Sequence, residues 1–405
     1  MENSHKTNAS TNEEKVASFT LLSNLFRANI RQYGMFIALF VIMIIFNILT
    51  EGTFISSRNL TNLYLQTGYI AVLAVGMVLV IVAGHIDLSV GSVAAFTGAI
   101  AAILQVKMGL PTIPTILLTM AVGCMIGMWQ GYWIAFRGVP AFIVSLASML
   151  MFRGAVIGIT KGQTIGPFNE SFNKISVGYL ADIANMGNFH LLSVLIGIIA
   201  IGLYIVLELK KRKTRVSYGF DILPKSFFAG KLLLVSSLIM SFILSMALYK
   251  GIPYTVIIVV LLVGLYTFIT NKTPIGRHVY AIGGNLEAAR LSGINTKKTL
   301  FAVFTSMGAL AALSGIVYSA RLNSAAPSAG NLFELDAIAA SFIGGASANG
   351  GIGSVVGAII GALVMASINN GMSLMNMDIS YQYMIKGLVL LLAVWFDIST
   401  RNKSK

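Results

Sequence analysis

The chain has 405 residues, 56% of them hydrophobic and only 10% charged, with a formal net charge of +14 at pH 7. Soluble domains carry about 25% charged residues, so this composition, with a mean hydropathy of +0.83, excludes a soluble fold and describes an all-α, polytopic transmembrane helical bundle. The positive charge gathers in the polar ends and connections, as the cytoplasmic excess of Lys and Arg does in membrane proteins, which argues against nucleic acid as a partner; the single cysteine, Cys124, excludes an internal disulfide and a cysteine-based metal site.

Met1 to Arg31 is polar and mixed in charge. It lacks the apolar core and cleavage site of a signal peptide and reads as a cytoplasmic tail, interfacial near 19–30. Apolar runs then recur at the ~20-residue length that a ~30 Å bilayer core requires. They are continuous rather than alternating, which selects helices over a barrel. The runs fall at about 33–49, 69–84, 88–104, 116–136, 141–159, 191–207, 232–248, 254–269, 300–320 and 384–396, with two shorter helices flanking the glycine-rich 344–353. Ten to twelve spans are expected, the short pair being a candidate re-entrant hairpin. The expected organisation is a tail over 1–31, a transmembrane domain over 32–398 containing a cytoplasmic loop at 273–299, and a second tail over 399–405. Outer connections are expected at 51–66, 161–190 and 321–336, and a second long loop is expected to begin at the charged run 208–213. With the N-terminus inside, twenty of the 28 Lys and Arg lie on the cytoplasmic side, six on the other, and two, Arg153 and Lys386, within spans. Both termini are therefore expected in the cytoplasm.

One internal echo stands out. GSVAAFTGAIAA from Gly91 resembles GSVVGAIIGALV from Gly353, each after a loop that interrupts two apolar runs. Transporters are commonly built from repeats, with sites at helix breaks. Small residues at these spacings also let helices pack closely, and both readings stand.

Between two apolar runs lies the polar stretch Thr273 to Lys298. Within it Asn285 to Leu291 reads as a short helix: Asn285 caps it, Glu287 suits its positive N-terminal end and Arg290 its negative C-terminal end. Gly293 ends it. Such a helix is a handle that another protein can grip, or an ordinary surface loop.

No nucleotide-binding loop is visible, since GINTKKT from Gly293 lacks the glycine pattern of GxxxxGK[ST]. The four histidines form no metal-binding spacing, and no Ser-His-Asp or paired-carboxylate pattern appears. No catalytic residue, cofactor or metal is assigned, and the chain is not read as an enzyme. If ATP drives it, a partner must hydrolyse that ATP. Ionisable groups inside a membrane are costly and kept for function; the candidates are Asp87, Arg153 and Lys386. Asp87 and Ser89 are placed to cap a helix beginning at Leu88, and Asp87 alternatively to meet a polar substrate. Arg153 is expected to snorkel or to pair with an acid on another span, with Asp87 as one choice. The polar loops 161–190 and 321–336 offer outer surfaces, either solvated connections or docking sites for a soluble protein.

Four stretches in order, AVGMVLVIVAGHIDLSVGSVAAFTGA (74–99), VPAFIVSLASMLMFRG (139–154), GRHVYAIGGNLEAARLSGI (276–294) and SFIGGASANGGIGSVVGAIIGALVMASINNGMS (341–373), resemble the permease subunits of bacterial ABC importers for ribose, galactose and xylose. The middle section near 208–269 and the ending NNGMSLMNMDISYQYMIKGLVLLLAVW look most like the xylose and multiple-sugar branch. The resemblance implies a translocation pore in the bilayer built with a second permease copy, a cytoplasmic ABC ATPase, an extracytoplasmic sugar-binding protein and a monosaccharide as solute, xylose foremost. It puts the ATPase contact at Gly284, Asn285, Glu287, Ala288, Ala289, Arg290 and Gly293. The substrate pathway is assigned to Asp87, Ser89 and Ser92 of the first stretch and to Asn369 and Asn370 of the last. The rival expectation is a secondary transporter or channel that works without an ATPase.

Overall fold

The computed structural model describes residues 30–183, 189–220 and 223–402. The N-terminal tail and interfacial segment expected before Ile30, and residues 403–405 of the expected C-terminal tail, lie outside the described residues. All regular structure among the described residues is helical; isolated bridges of strand type join Ile165 with Ala325 and Tyr179 with Pro253.

In chain order the helices are α1 (Ile30–Leu49), α2 (Ser57–Val82), α3 (Val90–Ala102, continued by a π-turn to Lys107), α4 (Thr112–Ala135), α5 (Ala141–Thr160), α6 (Glu170–Val177), α7 (Leu191–Ser217), α8 (Lys225–Ala247), α9 (Tyr254–Lys272), α10 (Pro274–Gly284), α11 (Leu286–Leu291), α12 (Thr296–Leu322), α13 (Phe333–Ile343), α14 (Val355–Leu374) and α15 (Ile379–Asn402). Ten of the described helices, α2 to α5, α7 to α9, α12, α14 and α15, are long and apolar enough to cross a membrane, and α1 adds a shorter apolar stretch from Gly34 to Leu49. With eleven residues, α13 rises only about 16 Å, half of a bilayer core.

Most helices outrun the apolar stretches that mark them. Ser56 caps α2 by accepting from the Asn59 N–H, so three turns expected as an outer connection are helical. The charged run 208–213 does not open a loop: α7 continues through it, and only 218–224 separate α7 from α8. Leu, Lys, Arg and Glu are all good helix formers, so hydropathy marks where the bilayer would end and not where the helix ends. The Lys231–Glu208 ion pair at 2.7 Å and the Arg212 guanidinium over the Phe228 ring at 4.5 Å hold the two helices together beyond their apolar parts. In the same way α15 runs into the residues expected as a C-terminal tail.

The centre of the bundle is α2, α3, α12 and α14. Their buried side chains form one core with Phe304, Met307, Leu73, Ile81 and Met365 among the largest. Close approach depends on small residues. Along α4, Gly123 and Gly127 lie against the backbone of α12, where a Cβ on Gly308 would stand 2.3 Å from Gly123 O. The outer helices α1, α7, α8 and α15 expose Ile48, Ile199, Leu233 and Leu391, apolar surface suited to lipid.

Two helix breaks interrupt this core. Helices α2 and α12 run antiparallel, with Gly68 against Val317 and Gly76 against Met307. Helices α3 and α12 run parallel, with Gly315 against Ala94 and Gly98 against Ser319. Helix α3 therefore opens beside the middle of α12, not at its end, and 83–89 climb back into the bundle without helix. Helix α13 opens at the same level, because a Cβ on Gly91 would meet Gly330 O and Glu334 Oε2, each at 2.3 Å. The N-termini of α3 and of the half-length α13 thus meet inside the bundle. The two echoing sequences take like places, each opening the helix that follows a loop, α3 after 83–89 and α14 after 344–353.

The loop expected at 161–190, either as a solvated connection or as a docking surface, packs onto its neighbours over 165–183. Asn169 caps α6 by accepting from the Phe172 N–H at 2.9 Å, and Phe168 and Phe172 stack 4.3 Å apart in a small core. Asn323 Oδ1 accepts from Phe168 N at 2.9 Å and Asn173 Nδ2 at 2.8 Å, so the loops 161–190 and 323–332 lock together.

Candidate pathway and handle

At the first break, Asp87 is almost fully buried and accepts from the Ser89 hydroxyl at 2.6 Å and the Ser89 N–H at 2.8 Å. Gln130 Nε2 of α4 donates to Ser89 Oγ at 2.7 Å. Neither Asp87 nor Ser89 caps as expected: α3 begins at Val90, and Ser89 makes no side-chain capping bond. The carboxylate is spent on the turn before the helix. Ser92 is buried one turn on, and its Oγ has no partner among the described residues. Arg153 does not pair with Asp87; its Nη1 donates to Ala329 O at 2.7 Å, at the entry to α13.

Sequence reasoning put Asp336 in an outer connection. It is in the first turn of α13, with Glu334, and both are buried. Carboxylates at a helix N-terminus are favoured by its partial positive charge, but two such groups inside a bundle require more than that. Glu334 lies over Gly91, within electrostatic reach of Arg153, Asp336 and Asp87. Asp336 faces the other way: Lys386 of α15 donates to Asp336 Oδ2 at 3.1 Å, and Asn369 Nδ2 of α14 donates to the same oxygen at 3.4 Å. Of the three intramembrane ionisable candidates, Lys386 thus gains a partner that was not expected. The signal was an acid at i and i+2 directly before the apolar run AIAASFI.

Asn370 is buried against α2. Asn59 Nδ2 donates to Asn370 Oδ1 at 2.9 Å, Asn370 Nδ2 returns a bond to Asn59 Oδ1 at 3.2 Å, and Gln66 Oε1 accepts at 3.4 Å. Asn370 is therefore a helix-to-helix clasp, while Asn369 borders a polar cavity of about 220 Å³ lined by Gln66, Tyr69, Arg321, Ser373, Gln382 and Lys386. The expected pathway residues form two groups: Asp87, Ser89 and Ser92 at the start of α3, Asn369 and Asn370 on α14. The first turn of α13 stands between them, with Glu334 toward one and Asp336 toward the other.

The polar stretch 273–298 is more helical than expected. Thr273 caps α10, with Pro274 at its first position. Asn285 caps α11 as read from sequence, accepting from the Ala288 N–H at 2.9 Å. Glu287 occupies the first turn of α11 and Arg290 the last, and Gly293, at φ +81°, takes the left-handed conformation that ends it. Ala289 is buried, while Leu286 is 48% and Leu291 86% exposed. These two leucines were not singled out from sequence, although apolar residues in so polar a stretch were the available signal.

The handle is seated on both breaks. A Cβ on Gly283 would lie 1.6 Å from Val82 O and 2.6 Å from Gly351 N. The Gly351 N–H donates to Val82 O at 2.8 Å. Tyr280 Oη donates to Gly353 O at 2.7 Å. Backbone from α10, from the end of α2 and from the loop before α14 meets at one point with no side chain between.

A helical membrane bundle with broken helices around a buried polar seam, and a helical handle seated on the breaks, defines a multi-pass membrane permease. The profile of the family described as branched-chain amino acid transport system / permease component matches residues 59–394. The xylose transport system permease protein of Haemophilus influenzae is 44% identical over 375 residues, 93% of this chain and 98% of that protein. That of Escherichia coli is 42% identical over 382 residues, 94% and 95% of the two chains. The ribose import permease protein of Escherichia coli is 35% identical over 361 residues, 89% and 92% of the two. No solved structure matches. The chain belongs to this family of transport-system permease components, whose members, as the relatives' names show, are not confined to amino acids.

Proposed function

We propose that the chain is the membrane-spanning permease subunit of an ATP-driven, binding-protein-dependent importer of a monosaccharide, with xylose as the first choice. Its relatives over more than nine-tenths of its length are named for xylose transport. The observation that carries the ATP-driven reading is the seating of α10 on the two helix breaks. A push or pull on the handle reaches Val82 and Gly351 through backbone contact, which is what a protein worked from outside requires. Leu286 and Leu291 give a cytoplasmic ATPase an apolar foothold, with Glu287 and Arg290 beside them. Ala288 lies within the same helix, Ala289 packs it onto the bundle, and Gly284, Asn285 and Gly293 set its ends.

In this reading the handle face is cytoplasmic, both termini lie there, and a sugar-binding protein docks on the loops 161–190 and 323–332. A second copy of the chain completes the pore. Sugar passes the seam between Asp87, Ser89 and Ser92 on one side and Asn369 and Asn370 on the other, as the α13 turn and its neighbours move. ATP binding on the partner changes the handle's position. A ligand shifts such an equilibrium only by its differential affinity, so a pathway that binds sugar weakly serves release better than one that binds tightly.

The buried Asp336–Lys386 pair also suits the rival reading, because intramembrane ion pairs mark ion pathways in secondary transporters. Affinity purification of the chain from its native membrane in mild detergent separates the two. Recovery of a P-loop ATPase in stoichiometric amount is the expected result. A chain that comes out alone and moves sugar into liposomes without ATP makes it a secondary transporter or channel.

A further inference from the structure

The polar cavity beside α15 has more hydrogen-bonding capacity than its walls use. Lys386 spends one N–H on Asp336. Arg321 has no hydrogen-bond acceptor among the described residues, and neither does the Tyr69 hydroxyl, though both border the cavity. Gln382 donates to Met377 O at 2.9 Å and keeps its Oε1 free, and Ser373 donates to Asn369 O at 2.8 Å and keeps its lone pairs. Behind this wall the buried Asp336 Oδ1 and Asn369 Oδ1 are without partners. Buried polar groups of proteins are nearly always satisfied, so these two orphaned oxygens, behind a partly exposed wall of unused donors and acceptors, point to a ligand with donors and acceptors on one small frame. An anion satisfies Arg321 and Lys386 but offers nothing to Gln382 Oε1 or Ser373 Oγ. The cationic excess is already offset by Asp336 and, at Arg321, by the C-terminal end of α12. The space measures about 220 Å³.

We infer that this cavity is a transient binding subsite for a neutral monosaccharide, its hydroxyls accepting from Arg321 and Lys386 and donating to Gln382 and Ser373. Asp336 is a positioning residue, holding Lys386 and Asn369 in place from behind. The inference rests on the proposed function and supplies a stopping place at the edge of the pathway.

The test uses the purified full-length chain alone, so it stays readable if the proposed assembly with an ATPase fails. In a Cys124→Ser background, Ser373→Cys replaces one assigned contact on the exposed rim with a reporter thiol and leaves Arg321, Lys386 and Gln382 in place, and its alkylation rate is followed with increasing D-xylose, D-ribose, xylonate and sucrose. Slowing by the two neutral monosaccharides, saturable in the millimolar range and absent with sucrose, is expected. Arg321→Gln in the same background raises the half-protecting concentration roughly tenfold, as loss of one charge-assisted hydrogen bond does. Ser373→Ala and Lys386→Gln, followed by sugar-dependent quenching of intrinsic tryptophan fluorescence, check the result without relying on the introduced thiol. Alkylation unaffected by any monosaccharide up to its solubility limit overturns the subsite. Protection by xylonate alone makes it an anion site, which also overturns it. Equal protection of the reporter chain with and without Arg321→Gln removes the assigned contact.

Discussion

Replacing Gly283 by alanine puts a methyl group 1.6 Å from Val82 O. Cβ atoms essentially never approach closer than 3.0 Å, so α10 or the end of α2 must move by about 1.4 Å. That displacement strains the Gly351–Val82 bond of 2.8 Å and the Tyr280–Gly353 bond of 2.7 Å. Overpacking costs about 1–3 kcal/mol and each weakened hydrogen bond about 0.5–1.5 kcal/mol, while alanine gains up to ~1 kcal/mol of helix propensity. A net loss of about 1–5 kcal/mol follows. The neighbouring Gly284 is the internal control: a Cβ there meets nothing within 4 Å, so Gly284→Ala shares the propensity gain without the clash. Thermal unfolding of the two purified variants in one detergent should show Gly283→Ala melting well below wild type and Gly284→Ala at or slightly above it. Equal melting temperatures for the two would refute the claim that α10 is seated backbone to backbone on the helix breaks.

Three further outcomes are expected. Leu291→Asp, combined with Glu287→Ala and Arg290→Ala, leaves the melting temperature of the isolated chain near that of wild type because all three side chains are exposed, yet abolishes co-purification of the ATPase; retained co-purification places the ATPase contact elsewhere. Lys386→Met strands the Asp336 carboxylate, whose side chain is only 2% exposed, and costs about 3–5 kcal/mol of stability, whereas Lys386→Met with Asp336→Leu recovers most of it, as a double-mutant cycle on thermal melts would record. Bonds from the Leu192, Ile183 and Leu191 amides hold the Asp182 carboxyl below its ordinary value at the start of α7. A carboxylate depressed in the folded state stabilises it above the unfolded value of ~3.9, and that contribution is lost as pH falls through the lower folded value. Hydrogen exchange at Leu191 and Leu192 should therefore rise below about pH 4, and Asp182→Asn should exchange faster at neutral pH and lose that acid dependence.

Much of the chain was legible because its signals are local. Nine of the ten described helices long and apolar enough to cross a membrane announce themselves as apolar runs; the tenth, α14, was expected as one of two short helices and instead runs 20 residues, while the run at 33–49 gives only the shorter α1. The handle helix carries its own cap, charges and stop in Asn285, Glu287, Arg290 and Gly293. Where helices pass beyond the apolar layer, as α7 does through 208–213, hydropathy marks the wrong boundary, because helix formation and membrane burial obey different preferences. The site was less legible. Asp336 reads as part of a polar outer loop, since its neighbours Asn331 and Glu334 are polar and its partner Lys386 lies 50 residues away. Asp87 reads as a cap, and only the bonds it accepts from the Ser89 N–H and hydroxyl show that the carboxylate closes a turn instead.

The sequence by itself determined a helical membrane protein, the placement of its spans and the local geometry of its handle, because hydrophobic burial and intrahelical hydrogen bonding are settled within a window of some twenty residues. Only the tertiary structure decided which polar groups meet. The clasp between Asn59 and Asn370 joins residues 311 apart, and the joint at Gly283 brings together backbone from α2, α10 and the loop before α14. Within a bundle from which water is excluded, each buried polar atom needs a specific partner. Which partner it finds is fixed by how distant helices cross, and no short window of sequence contains that.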